Sequence, residues 1–115
     1  MVVLNGSTNM YVSGTASIVG EKTLFPDDVK KQTITTIENI FGLFSSENQD
    51  ELGVHFDVSQ IEFSHLRIYV KFQEDFPAVE TICRSMLKSK SFLFLESDIC
   101  RENLLVEIEG IFTVE

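Results

Sequence analysis

Two carboxylates near the end of the chain, Glu107 and Glu109, interrupt a run of leucine, valine and isoleucine. Successive side chains of a strand point to opposite faces, so both glutamates share one face with Leu105, whereas Val106 and Ile108 share the other. A carboxyl group in an apolar surrounding has a raised pKa and can act as a general acid or base near neutral pH. The pattern therefore predicts either a solvated strand edge or a pocket that uses a carboxylate.

The bulk composition limits the classes of protein to which the chain can belong. Its 115 residues are 43% hydrophobic, which predicts one globular domain over residues 1–115 with no membrane span. The formal charge of −9 disfavours nucleic acid and anionic membranes as partners. Cys83 and Cys100 lack metal-ligand spacing, and no secretory signal is visible, so we expect a cytoplasmic protein with reduced thiols, no metal and no cofactor.

The periodicity of the apolar residues predicts the element order β-β-α-β-α-β-β. Strands alternate with period two, and each of the two helices carries one apolar stripe. The predicted segments are a hairpin over 2–19 with its turn at 5–9, a helix capped at Asp27–Asp28 and running to about Ser46, a polar linker over 45–57, a strand over 63–72, a helix capped by Asp75, a strand over 91–96 and a final strand through the glutamates. Helices with single stripes and a sheet with one apolar face make a two-layer α+β sandwich, a mixed sheet with two helices on one face.

Three helical residues are expected to have structural roles. Gln32 and Asn39 lie seven residues apart on one side of the first helix, where their amides are expected to bond neighbouring loops. Cys83 falls within the apolar stripe of the second helix and is expected in the core.

The uncovered face of the sheet is the expected position of a site. The alternation places Tyr69 on the polar face of its strand, and we predict that Phe92 and Phe94 share that open face. Glu96 lies on the same side of its strand as the two phenylalanines and is predicted to neighbour Glu107 across a hairpin. A face this mixed predicts a subunit interface that contains a pocket.

Several segments resemble the YjgF/RidA superfamily, and within it the C-terminal half of the chorismatases. They are SGTASIVG at 13–20, LRIYVK at 66–71, DICR at 98–101 and LLVEIEG at 104–110. The resemblance implies a chorismate-mutase-like fold and a homotrimer with a small-molecule cleft at each subunit interface. RidA proteins hydrolyse imines or enamines derived from amino acids, and chorismatases remove the enolpyruvyl group of chorismate. The family glutamate that positions the attacking water matches Glu107.

One family residue is replaced in this sequence. Counting back from Glu107 puts Phe92 where the family arginine binds the substrate carboxylate, so that anchor must come from elsewhere, with Arg67 and Arg101 as the candidates. Two functions remain open: a hydrolase or deaminase of small carboxylates, with Arg67, Tyr69, Phe92, Phe94, Glu96 and Arg101 binding substrate, or a non-catalytic small-molecule-binding or regulatory trimer. A third hypothesis is that Glu107 matters only for assembly of the trimer. RNA cleavage, which the endoribonuclease name of the family suggests, is disfavoured by a trimer charge of about −27, three times −9.

Overall fold

A computed structural model describes residues 2–5, 9–19, 22–53, 55, 57, 61–99 and 103–113. The elements in chain order are β1 (Val2–Asn5), β2 (Asn9–Thr15), β3 (Ile18–Val19), β4 (Lys22–Thr23), α1 (Val29–Gly42), α2 (Ser46–Leu52), β5 (Phe63–Val70), a 3₁₀ turn (Gln73–Asp75), α3 (Phe76–Met86), β6 (Phe92–Glu96) and β7 (Val106–Thr113). The predicted α+β architecture is confirmed as a mixed sheet with helices on one face.

Within the described ranges the long strands form a five-stranded sheet in the order β1-β2-β7-β5-β6. Strand β7 lies in the centre and runs antiparallel to both β2 and β5. Strand β6 runs parallel to β5 at the sheet edge, because α3 carries the chain back to the start of the sheet between them. The predicted hairpin between β6 and β7 is therefore wrong.

The core lies between the sheet and the helices. Along β5, Leu66, Ile68 and Val70 are fully buried, as the alternation predicted. Their neighbours on β7, Val106 and Ile108, are also fully buried. This inner face packs against α1, which contacts β2, β7 and α3. One face of every central strand is thereby fixed inward, so the alternate residues must face outward.

Helix α1 begins at its predicted cap and holds the start of β7 in place. The Asp28 side chain accepts the backbone N–H of Lys31 at 3.0 Å, which satisfies a free donor of the first turn. Gln32 is fully buried, and its amide donates to the carbonyl oxygens of Phe25 and Asn103 and accepts the N–H of Leu105 at 2.8 Å. The predicted bonding of loops by this residue is confirmed.

The second helical amide bonds a different loop. Asn39 donates to the carbonyl oxygens of Ala16 and Ile18, at 2.9 and 3.2 Å. This contact, too, is as the sequence predicted. The two amides tie α1 to the start of β7 and to the loop that follows β2.

Two segments differ from the prediction. The second strand ends at Thr15 after an irregularity between Val12 and Thr15, and β3 and β4 form a separate small hairpin. The polar segment that follows α1 contains α2, where a plain linker was expected. Ser45 caps this helix by accepting the Asn48 N–H, and Gly53 ends it with φ at +72°, a value that glycine adopts without strain.

Helix α3 supplies the second layer beside α1. Cys83 is fully buried, as predicted, and burial raises the pKa of its thiol to about 12, which keeps it protonated and unreactive. Asp75 directly precedes the helix, but its side chain makes no capping hydrogen bond, so its predicted capping role is wrong. No helix among the described residues is long and apolar enough to cross a membrane.

Candidate functional site

The register of β5 and β7 assembles a polar cluster on the outer face of the sheet. Arg67 pairs with Glu109, and Tyr69 pairs with Glu107, in positions that alternate with the buried core residues. Strand β2 contributes Tyr11, which pairs with Ile111 on the other side of β7. Side chains from the three adjacent central strands therefore meet on one surface.

Glu109 accepts two hydrogen bonds on this surface and forms one ion pair. Its Oε1 accepts the Tyr69 hydroxyl at 2.7 Å, and its Oε2 accepts the Tyr11 hydroxyl at 3.0 Å. The Nε of Arg67 lies 3.1 Å from the same Oε1 in an ion pair. The glutamate side chain is 16% exposed and that of the arginine 42% exposed, so the carboxylate is enclosed while the guanidinium still reaches solvent. Hydrogen bonding to a carboxylate favours the phenol form, and this raises the pKa of both Tyr11 and Tyr69.

Glu107 lies in a different environment two residues away. Its carboxylate sits over Gly14, at the strand irregularity, and a methyl group added there would overlap Oε1 and come within 3.0 Å of Cδ. Burial, and secondarily the negative charge of Glu109, raises the pKa of the Glu107 carboxyl. No other described residue donates a hydrogen bond to it. A half-buried carboxyl with a raised pKa and free oxygens is suited to proton transfer.

An open depression of about 340 Å³ lies beside Gly14, between the end of β2 and the last turn of α1. Asn39 and Leu43 line it, together with Thr15 and Ala16. Gly14, which the Glu107 carboxylate contacts, also lines this depression, whereas Glu107 does not.

Part of this chain is similar in sequence to known proteins. No protein-family model matches the chain. It is 37% identical over 103 residues to a 3-hydroxybenzoate synthase of Streptomyces hygroscopicus and, over the same length, to a chorismatase of Streptomyces rapamycinicus. The chain is therefore similar in sequence to one part of a chorismatase. The matches include 89% of this chain but only about 30% of the length of each relative, so the chain spans less than a third of a chorismatase.

The solved structures agree with the sequence comparison. A chorismatase crystal structure matches 90% of this chain with a TM-score of 0.80 at 34% identity, over 32% of the chorismatase chain. RidA from an Antarctic Psychrobacter matches 98% of this chain with a TM-score of 0.73 at 17% identity, which establishes a shared fold. The predicted resemblance to chorismatases and to the YjgF/RidA fold is confirmed.

The outer face contains three of the predicted site residues: Glu107, Arg67 and Tyr69. The predictions for Phe92, Phe94 and Glu96 placed them on this face as well, and that placement is wrong.

The reason is the parallel pairing of β6. Phe92 pairs with Leu66 and Phe94 pairs with Ile68, so both rings lie on the helix side of the sheet. There the rings stack on each other at 6.1 Å, and the guanidinium of Arg84 on α3 lies 4.8 Å and 5.6 Å from their centroids.

The same register decides two further predictions. Glu96 pairs with Val70, so it lies on the helix side and neighbours β5; β7 is not adjacent to it. The outward positions of β6 are instead taken by Leu93 and Leu95, beside Arg67 and Tyr69. Arg101 lies outside the described residues.

Two members of the cluster were not predicted as site residues. Tyr11 was assigned only to a strand, and its place beside Glu109 depends on the pairing of β2 with β7, which the alternation pattern does not specify. Gly14 carried a usable signal, since a glycine inside a strand indicates a bulge or the close approach of another group. That group is the Glu107 carboxylate.

Proposed function

We propose that this chain acts on a small carboxylate with an enolpyruvyl, imine or enamine group, and that Glu107 is its general acid. The observation that carries the proposal is the state of Glu107, half-buried over Gly14 with a raised pKa and no donor from another described residue. The similarity to chorismatases supports the enolpyruvyl substrate class. Fold neighbours of the RidA type support the imine class more weakly, because they share the fold at low identity.

The chemistry requires a proton donor of this kind. A carboxylic acid delivers its proton to the methylene carbon of an enol ether, which leaves a cation stabilised by the adjacent oxygen. Water adds to the cationic carbon, and the resulting hemiketal collapses to pyruvate and the ring alcohol while the carboxylate recovers a proton. A raised pKa keeps a larger fraction of Glu107 protonated at neutral pH, so the acid is available for the first step.

Arg67 is the substrate anchor in this proposal. Its Nε is engaged by Glu109, but a guanidinium has five N–H donors, and those on its two terminal nitrogens remain to bind a carboxylate. The side chain is 42% exposed on the same face as Glu107. This arrangement compensates for Phe92, whose ring packs under α3 and offers no charge.

We further propose that the outer faces of three chains meet in a homotrimer, which would enclose Glu107 in an inter-subunit cleft. The support is the mixed character of that face, where the exposed Leu93 and Ile111 flank the polar cluster. We expect no binding of RNA, since each chain carries a net charge of −9.

The alternative is a trimer that binds a small molecule without turnover. The observation that favours it is the apolar outer side of β6, where Leu93 and Leu95 take the positions next to Arg67 and Tyr69. That surface suits an uncharged or aromatic ligand better than a dianion. The relatives are also about three times longer, so the chemistry of a chorismatase draws on parts that this chain does not match.

The test is release of pyruvate from chorismate, followed with lactate dehydrogenase and NADH, and hydrolysis of freshly generated 2-aminoacrylate. We expect turnover of chorismate that falls by about 10² to 10⁴ in Glu107→Gln, the usual contribution of a general acid. Glu38→Gln, on the exposed side of α1, is the control and should retain full activity. Equal rates in wild type and Glu107→Gln with both substrates would exclude the catalytic proposal and leave the binding alternative.

A further inference from the structure

Glu109 connects the three central strands through one carboxylate. Its oxygens accept the hydroxyls of Tyr11 on β2 and Tyr69 on β5, and Arg67 of β5 completes the set. With two hydrogen bonds and an ion pair around a side chain that is only 16% exposed, both of its oxygens are engaged by protein groups. Glu109 is thus poorly placed to contact a substrate, although it lies on the same face as Glu107.

The network also restricts Arg67. A long side chain on a sheet surface samples many rotamers unless a partner restricts it, and the ion pair with Glu109, 3.1 Å from the Nε, favours the rotamers that keep the guanidinium beside that carboxylate. The ion pair engages the Nε, so the N–H donors of the two terminal nitrogens remain to bind another group. A guanidinium restricted in this way binds a carboxylate with less loss of side-chain entropy than a free arginine.

We infer that Glu109 is a positioning residue for the site built on Glu107 and Arg67: it holds the Arg67 guanidinium in one direction and places a second negative charge beside Glu107. The inference rests on the function proposed above for its catalytic consequence, but the charge coupling between the two glutamates stands without it. The substrate class remains a small carboxylate, which the oriented guanidinium binds.

Several other titratable groups lie on the outer face with Glu107. They are Arg67, Tyr69 and His65 on β5, Lys71 just beyond its end, and Tyr11 on β2. After burial, the charge of Glu109 is what raises the Glu107 pKa, so removing that charge should lower it. A substitution that keeps the Glu109 charge but removes one of its hydrogen bonds should leave the Glu107 pKa unchanged.

The direct experiment is a ¹³C NMR titration of the glutamate side-chain carboxyls, with the Glu107 signal assigned by its loss in Glu107→Gln. We expect the Glu107 midpoint to fall in Glu109→Gln and to stay near the wild-type value in Tyr11→Phe, which keeps both the charge and the Arg67 ion pair. Glu38→Gln, on the exposed side of α1, is the matched control and should also leave the Glu107 midpoint unchanged. An unchanged midpoint in a folded Glu109→Gln protein would overturn the inference.

A kinetic experiment separates positioning from a merely structural role. Glu107 acts as an acid, so kcat/KM for chorismate falls as the pH rises through its pKa, and Glu109→Gln should move that fall to lower pH. The same variant should raise KM, because Arg67 is no longer held, whereas Glu109→Asp should recover part of the loss. A uniform decrease in kcat at every pH, with the midpoint and KM unchanged, would contradict a positioning role.

The two experiments fail in different ways. If the wild-type protein turns over neither chorismate nor 2-aminoacrylate, the proposed function is excluded, while the carboxyl titration still decides whether Glu109 controls the charge of Glu107. If turnover occurs and Glu109→Gln shifts neither the titration nor the rate profile, the proposed function survives and the inference about Glu109 does not.

Discussion

At the scale of single residues, the ionised form of Glu107 costs stability. Its pKa is higher in the folded chain than in the unfolded chain, because burial and the charge of Glu109 disfavour the carboxylate. The stability that protonation contributes is complete below the ordinary glutamate pKa of about 4.3 and is lost as the pH rises through the folded-state value. The ionised carboxylate thus lowers the stability of the fold, so folding alone does not explain a glutamate at this position.

We therefore expect Glu107→Gln to melt at a higher temperature than wild type at pH 7, with a difference that shrinks toward pH 4. The measurement is differential scanning calorimetry across this range. Glu38→Gln, on the exposed side of α1, should show no comparable dependence on pH. A Glu107→Gln protein that is less stable than wild type at pH 7 would mean that the carboxylate is needed for folding.

Gly14 sets the position of the Glu107 carboxylate. A methyl group at Gly14 would overlap Oε1, so Gly14→Ala must displace the acid from its place. We expect loss of most chorismate turnover with little change in the folded structure, because the backbone at this position has no positive φ.

The matched control is Gly42→Ala, at the end of α1, where an added Cβ meets nothing within 4 Å. Replacing a helical glycine there should stabilise the protein by about 0.5 to 1 kcal/mol without affecting turnover. Urea unfolding and the pyruvate assay together measure both effects. Equal turnover in Gly14→Ala and wild type would show that the carboxylate has room to move without consequence.

The sequence identified part of the site at this scale. Period-two alternation placed Glu107, Tyr69 and Arg67 on the outward face, because their neighbours are apolar and had to be buried. It missed the bond from Tyr11 to Glu109, which spans 98 residues of sequence. Alternation specifies the face of each residue, whereas the partner depends on register between distant strands.

At the scale of elements, Phe92 and Phe94 were predicted on the wrong face of the sheet because β6 was expected to pair with β7, whereas it runs parallel to β5. A strand, a helix and another strand in succession form a crossover that pairs the two strands in parallel, and β5, α3 and β6 follow this rule. The hairpin expected between β6 and β7 would have placed the phenylalanines opposite Glu107. The parallel pairing turns them toward α3 and turns Leu93 and Leu95 outward.

Helix α1 positions β7 through Gln32. The buried amide satisfies two carbonyl groups and the N–H of Leu105, immediately before the strand that carries both glutamates. Gln32→Leu would leave these backbone groups without partners in the interior, and we expect a loss of about 3 kcal/mol in the free energy of unfolding. Gln73→Leu, at an exposed position, should change it by less than about 0.5 kcal/mol. Urea denaturation measures both, and similar losses for the two variants would contradict this role of α1.

At the scale of the whole molecule, the fold was predictable because each element had its own signal. Apolar stripes marked α1 and α3, alternation marked the central strands, and one apolar sheet face required helices on only one side. The open face was predictable for the same reason. What covers that face is another molecule, and a fold signal within one chain does not encode it.

We expect the outer face to be covered by two further copies of this chain, giving a particle of about 39 kDa from chains of 13.0 kDa. Leu93 is 42% exposed on the outward side of β6, and Leu93→Lys would bury a charge in the interface, so it should shift the protein toward monomer. Ile34→Lys is the matched control, since Ile34 is 38% exposed on α1 and should not affect assembly. Native mass spectrometry distinguishes the two states.

Protonation should favour that assembly. Covering Glu107 with a second subunit removes more water from its carboxyl, which favours the neutral form, so the trimer should dissociate more readily as the pH rises. Glu107→Gln carries no charge at this position and should hold the trimer together at a higher pH than wild type does. Sedimentation velocity between pH 5 and pH 9 measures this directly. If the wild-type protein stays monomeric throughout, the outer face is not a contact between copies, and the site must work on an open sheet surface.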